Sequence, residues 1–584
     1  MVNLANPVQE ITSSVKTNKY SIKAIFLIIA IVLGVIQGWA NRYTLSTEDS
    51  VSYLDISDAY LRGDWSGAVN ANWSPFYPWL LSLFISILKP SPYWEFSVVK
   101  IVNFLIYIFA FGCFDFLLSE VRYYYQEKLL NPNNSNYLTI PNWAFLIAGY
   151  TLFLWSSLKW LGISCDTPDM FTAALFYLAL GIVLRVHTKS PSWLNFITLG
   201  IVLGLGYLSK SVMFLLAFVF LVVALFSAGN IRRALPKVLV ALAIFTVIVA
   251  PFITAISTAK GRLTIGDSGR LSYAWYINPV VHDHHWQGEE PNSGTPKHPT
   301  RKIFDNLSVT AFEFATPIGG TYPVWYDPTY WNEGLQPKFN FIKQIKVIVA
   351  NAIFYKNEFL EGLIFCYLIL ICVGGRFWLS IKDLMQNWII LIPALAGLGI
   401  LMAVTNMSII SSELQPSTRY IASFAVALFV GVFTSVRLPN SQESKRLIIG
   451  FTLATLLIIV SQLAYYGAKD MGKILSRPDH ISWQVAEYIN KWGIQPGDKV
   501  ALLGDKDYLW ARLARVKVVS EIPNSTNFWR ADDVVKSDVL KAIDRTGAKA
   551  ILHQLRKDAA NFVVPSNDWK KIGNTNYYAY FFQK

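Results

Sequence analysis

Long runs without a single charge dominate this sequence. They recur at 24–41, 101–114, 142–158, 170–184, 190–209, 211–231, 238–259, 362–375, 384–412, 420–436 and 447–468. Each is long enough, with ragged ends, to cross a hydrocarbon core of ~30 Å as a helix. Helices are the workable choice, because backbone groups in lipid must be hydrogen-bonded within their own segment. The expected fold is a polytopic α-helical membrane protein of about eleven spans. Charged residues make up only 15% of the 584, and aromatics another 15%, which suits rings stationed at lipid–water interfaces.

The net charge of +13 does not indicate nucleic acid, since the basic residues are dispersed among short loops. Cys113, Cys165, Cys366 and Cys372 lie in or beside apolar runs, in no spacing that suggests a disulfide framework or a zinc site. Lys16, Lys19 and Lys23 precede the first run and no small-residue cleavage site follows, so that run reads as a retained span.

The short loops set a direction. With residues 1–23 cytoplasmic, alternate loops carry Arg122 and Lys128, Arg185 and Lys189, Arg232, Arg233 and Lys237, Arg376 and Lys382, then Arg437, Lys445 and Arg446. That is the positive-inside pattern. It leaves three large segments on the external side of the helical domain of 24–468: the loops 42–97 and 260–361, and a tail at 469–584. For a bacterium that side is the periplasm. Residues 49–62 read as an amphipathic helix at the interface, and 76–88 as an interfacial or re-entrant helix too short to span. In the tail, 499–504, 516–522, 548–554 and 577–582 read as strands and 481–492 and 530–546 as helices, a small soluble α/β domain. GDKDY (504–508) is no dinucleotide fingerprint.

Ionisable residues are nearly absent from the span centres but recur at their external ends: Asp49, Asp166, Asp169, Lys210 and Arg419. Ion-coupled transporters place such groups near mid-membrane. Groups gathered at one face suit an enzyme acting on a lipid-linked substrate at the interface.

The segments EDSVSY (48–53), GDW (63–65) and PFYPWL (75–80), then TPDM (167–170), GYLSK (206–210) and Arg419 with Tyr420, occur in an order that resembles the protein O-mannosyltransferase and aminoarabinose transferase group. The likeness runs over roughly the first 440 residues. It implies a GT-C fold and an inverting glycosyltransferase that moves a sugar from a polyprenyl-phosphate donor to an acceptor at the external membrane face. The acceptor is left open among protein, lipid and glycan. Such chemistry needs a carboxylate to take the acceptor proton and cations to stabilise the departing phosphate.

On that reading Asp49, Asp169 and Asp166 are the catalytic candidates, and Lys210 and Arg419 hold the phosphate. Plainer readings stand beside these. Asp49 and Asp166 also suit helix N-caps, Asp169 a favourable first turn, Lys210 a snorkelling interface lysine, and Arg419 an anchoring charge. Tyr53, Tyr322, Trp325 and Tyr326 are candidate substrate contacts, since aromatic faces pack against sugar C–H bonds; interfacial anchoring explains such rings equally. His282, His284 and His285, with Asp283, Glu289 and Glu290 in the same loop, offer ligands for a divalent metal cofactor. Two other functions remain open: a lipid-linked glycan flippase or transporter, and a non-catalytic envelope protein that binds glycan through its tail.

Overall fold

The computed structural model describes residues 7–129, 137–189, 191–278, 280, 285–289, 291–306, 308–373, 377–410, 417–504, 508–555 and 568–582, with side chains from Ser21 onward. Each of the eleven apolar runs carries a helix. Among the described residues six helices are long and apolar enough to cross a membrane: Ser21–Ala40, Pro92–Lys128, Asn142–Leu161, Asp169–Thr188, Ile231–Lys260 and Gln442–Leu475. A seventh candidate is a pair, Phe377–Gln386 and Trp388–Val404, bent by 72°. The bend falls at Asn387, whose amide donates to the Gly431 carbonyl (2.7 Å) and accepts from Lys128 (2.8 Å), so polar groups at the break are satisfied. Of the shorter apolar helices, Thr418–Phe433 is mostly buried, whereas Trp193–Ser209 and Val212–Ser227 each keep an exposed apolar face, the latter at Leu215, Phe218, Val222 and Phe226. At Gly200 an added Cβ would lie 2.5 Å from the Ala241 carbonyl oxygen, so only glycine lets the Trp193–Ser209 and Ile231–Lys260 helices approach so closely.

One end of the bundle is held by ion pairs. Arg185 and Lys189 meet Glu120 at 2.6 and 3.0 Å, and Arg437 meets Asp383 at 2.5 Å. Asp169 begins the same helix that Arg185 nearly ends, so Asp169 and the groups around it belong to the opposite end.

That opposite end carries a seven-stranded sheet. Its strands are β1 (Arg301–Asp305), β2 (Thr310–Glu313), β3 (Lys499–Leu503), β4 (Lys517–Ile522), β5 (Ala550–Gln554), β6 (Lys570–Lys571) and β7 (Tyr577–Phe581), in the order β1-β2-β4-β3-β5-β7-β6. The central β4-β3-β5 strands are parallel, joined by helices as parallel pairs require. The expected tail strands are all present, but the sheet extends beyond the tail. β2 pairs antiparallel with β4, matching Phe312 to Glu521 and Glu313 to Ser520, so the 260–361 loop and the tail share one sheet.

The Glu48–Leu61 helix also differs from expectation. Ser50 through Ser57 are all buried, as is Ala59. It is wedged between the bundle and the sheet domain rather than lying half in lipid, because Asp55 and Asp58 find charged partners in the tail. The Phe76–Leu88 helix keeps an amphipathic arrangement, burying Tyr77, Pro78 and Leu81 while exposing Leu83, Ile87 and Leu88.

Candidate active site

At the sheet-bearing end of the bundle lies a cavity of about 610 Å³ lined by Asp49, Tyr53, Asp169, Lys210, Trp325 and Arg419, with Ser209, Ser211, Ser268, Ser272 and Trp275 among its other walls. Five separate chain segments supply the four charged groups and Trp325. Asp169 opens the Asp169–Thr188 helix behind Pro168. Lys210 follows the last residue of the Trp193–Ser209 helix in an extended conformation (φ −158°), which turns its side chain off the helix axis. Arg419 is the second residue of the Thr418–Phe433 helix. Trp325 sits in a one-turn helix, Pro323–Tyr326, preceded by Gly320 at φ +85°, where a Cβ would strike the Tyr326 ring; glycine is needed there.

Arg419 lies between the two carboxylates: its Nη2 is 3.9 Å from Asp49 Oδ2 and its Nε 3.7 Å from Asp169 Oδ2. Lys210 forms an ion pair with Asp169, and Thr167 donates its hydroxyl to Asp169 at 2.6 Å. Lys210 Nζ also lies 4.2 Å from the Tyr420 ring centroid, and the Tyr420 hydroxyl accepts from Arg419 Nη2 at 2.7 Å.

Asp49 is placed differently. It does not cap its helix: Thr47 occupies that position, and Asp49 Oδ1 instead accepts the Trp325 indole N–H at 3.0 Å. Burial raises its carboxyl above the ordinary range, opposed by Arg419, the Trp325 hydrogen bond and Lys210. A raised carboxyl pKa is what a general base near neutrality requires. Asp169, held by two cations and a hydroxyl, is a charged anchor for those cations. The Trp325 backbone is fixed in turn, its carbonyl accepting from Ser52 (3.0 Å) and Trp73 Nε1 (3.2 Å).

Three of the expected catalytic and substrate-contact residues do not line this cavity. Asp166 is fully buried and takes Lys100 at 2.6 and 2.7 Å, Asn103 at 2.9 Å and the Ser46 backbone N–H at 2.9 Å. It ties three segments together and does not cap the following helix, whose N-cap is Pro168. Tyr322 donates to Glu521 at 2.7 Å and stacks on Tyr508. Tyr326 donates to the Gly67 carbonyl. Both phenols are turned into the packing around the loop by the same turn that presents Trp325.

His282 and His284 lie outside the described residues. His285 has one ring nitrogen 2.6 Å from Glu521 and the other 2.9 Å from the Thr300 hydroxyl, so both nitrogens are engaged within the protein. Among the described residues no group of three His, Cys, Asp or Glu side chains converges as metal ligands would.

The sequence alone does not single out Lys100 or Thr167 as partners of these carboxylates. Lys100 stands directly before an apolar run, where it reads as an interface charge; only the fold brings Asp166 to it.

Residues 138–254, which include Asp169 and Lys210, match the family model described as dolichyl-phosphate-mannose-protein mannosyltransferase. The match spans 117 of the 584 residues and takes in two of the quoted motifs, TPDM and GYLSK. Comparison with curated protein sequences finds no match.

Among solved structures the chain is similar to ArnT from Cupriavidus metallidurans in the apo state, at 13% identity and a TM-score of 0.42, covering 95% of this chain and 97% of that one. It is similar to the same protein bound to undecaprenyl phosphate at 12% identity and a TM-score of 0.41, covering 95% and 97%. The oligosaccharyltransferase AglB from Archaeoglobus fulgidus, in complex with an inhibitory peptide and a dolichol-phosphate, is similar at 12% identity and a TM-score of 0.45, covering 91% of this chain and 69% of that one.

Proposed function

We propose that the chain is an inverting glycosyltransferase using a sugar carried on a polyprenyl phosphate, a lipid of the kind named for the ArnT and AglB structures. The observation that carries this reading is the placement of Arg419 between Asp49 and Asp169, with Lys210 on Asp169. Two cations and two carboxylates in one cavity supply both halves of the chemistry. The acceptor hydroxyl attacks the anomeric carbon from the face opposite the phosphate, and its proton passes to Asp49. The bond from that carbon to the phosphate oxygen breaks, and the electron pair leaves with the phosphate, where Lys210 and Arg419 stabilise the charge that develops. In the resting site those cations are held by Asp169, which keeps them in place until the phosphate arrives.

Serine hydroxyls and the Trp73, Trp275 and Trp325 rings suit a sugar, offering hydrogen bonds on one side and aromatic faces on the other. The ionisable groups sit at helix ends, which favours an interfacial transferase over a flippase with mid-depth charges. The cavity end is read as the periplasmic side of a bacterial inner membrane. A divalent metal remains a proposal apart from this mechanism, which uses the chain's own cations.

The test is transfer by purified protein from a panel of polyprenyl-phosphate sugars to a mixed acceptor pool. Asp49→Asn is expected to lower transfer by about a hundredfold or more without loss of folded protein. Full activity in that variant would overturn the assignment of Asp49.

A further inference from the structure

The helix that carries Asp49 also carries Asp55 and Asp58, and both meet Arg512 of the tail, its Nη1 lying 2.8 Å from Asp55 Oδ1 and 2.7 Å from Asp58 Oδ2. The rest of that guanidinium donates to Glu95 through Nη2 at 2.7 Å and Nε at 3.1 Å, at the head of the Glu95–Leu129 helix. Arg512, Asp55 and Glu95 are all more than nine-tenths buried. Asp55 has a second task. It accepts the Thr321 backbone N–H at 2.6 Å and the Thr321 hydroxyl at 2.8 Å. Thr321 is the residue from which the chain enters the turn that delivers the Trp325 indole to Asp49.

Arg512 thus holds together the two partners of the Trp325–Asp49 hydrogen bond. Three carboxylates face it, and Arg515 is the second cation, 2.8 Å from Glu95 and 3.6 Å from Asp58. Without Arg512 the one remaining cation, Arg515, would face Glu95 and Asp58 only, leaving Asp55 without its guanidinium and the three carboxylates to repel one another.

We propose that Arg512 is a positioning residue for the transfer reaction, and that the tail domain is a working part of the active site. By fixing Asp55 it sets both the Asp49 helix and the Thr321–Trp325 turn. The proposal rests on the reading of Asp49 as the base, and its test does not depend on identifying the donor.

In the full-length protein in detergent, dicyclohexylcarbodiimide modifies protonated carboxyls in apolar surroundings, and peptide mass spectrometry across a pH series reads Asp49 directly. Arg419, Lys210, Asp169 and Tyr53 also face Asp49 and are left unchanged. In Arg512→Gln and Asp55→Asn the labelling midpoint of Asp49 is expected to rise by about one pH unit, because a hydrogen bond to its charged form is lost. Arg512→Lys is expected to bring the midpoint most of the way back to that of the unaltered protein. Thermal unfolding identifies the folded variants, and Asp55→Asn, which removes charge without changing size, carries the test if Arg512→Gln does not fold. A purely structural role for Arg512 would lower the melting temperature and leave the midpoint where it is, and that result in folded protein would overturn the proposal. Full transfer by Asp49→Asn would instead remove the catalytic reading and leave the labelling result standing.

Discussion

The indole of Trp325 donates to Asp49 at 3.0 Å across 276 residues of chain. Trp325→Phe keeps an aromatic ring but removes the donor, and a hydrogen bond to a charged group contributes about 1.5–3 kcal/mol. Transfer is expected to fall by roughly tenfold or more. The bond favours the charged carboxylate, so its loss raises the Asp49 pKa further. The acid limb of the pH–rate profile should therefore move to higher pH, and an unmoved limb would show that the bond does not tune the base.

On the proposed mechanism, Asp169 and a lipid phosphate compete for the same cations. Lys210→Met should weaken binding of undecaprenyl phosphate by about tenfold, as a charge-assisted contact is lost. Asp169→Asn should do the reverse, tightening binding of the free lipid phosphate while slowing transfer, since Lys210 and Arg419 lose their resting partner. Equilibrium binding to the purified variants measures both. Weaker binding by Asp169→Asn would mean that the carboxylate serves only to orient the cations.

Lys100 and Asp166 form a buried pair, 4% and 0% exposed. Removing one partner strands the other charge, so Lys100→Met is expected to cost about 3–5 kcal/mol of stability. The double variant Lys100→Met, Asp166→Asn should recover much of that. Chemical unfolding of the three proteins decides it. A double variant as unstable as the single one would point to the remaining Asn103 and Ser46 contacts instead.

His480, stacked on Tyr43 at 4.7 Å where the tail leaves the last long helix, is pushed by burial from 6.5 down to about 4. A depressed histidine is neutral in the folded protein and charged in the unfolded chain below pH 6.5. Its contribution to stability is therefore complete above that value and is lost as the pH falls towards 4. The melting temperature should drop between pH 7 and pH 4.5, and His480→Gln should flatten that drop. An identical pH slope in the variant would assign the acid lability to other groups.

Much of the architecture is legible in the sequence because it depends on local pattern. Uncharged runs must become helices in lipid, and Lys and Arg in the short loops mark one end of the bundle. Sorting the remaining charges by end is what isolates Asp49, Asp169, Lys210 and Arg419 from 89 Lys, Arg, Asp and Glu residues, 51 basic and 38 acidic. What each charge faces is not a local property. Asp166 and Asp169 are the two ends of one short segment, DTPD, yet one turns to Lys100 and the other to Lys210, a choice made by the packing of helices distant in sequence. The same holds for the 319–328 stretch, where one tight turn sends Trp325 into the cavity and Tyr322 and Tyr326 away from it.

The amino-acid sequence by itself determined that this chain is a helical membrane protein with Asp49, Asp169, Lys210 and Arg419 at one end, because hydrophobic runs and charge bias act residue by residue. Only the tertiary structure decided that Trp325 reaches Asp49, that β2 joins β4, and that Arg512 clamps the Asp49 helix. Those contacts join segments up to 457 residues apart, and nothing in the local pattern of either segment specifies its partner.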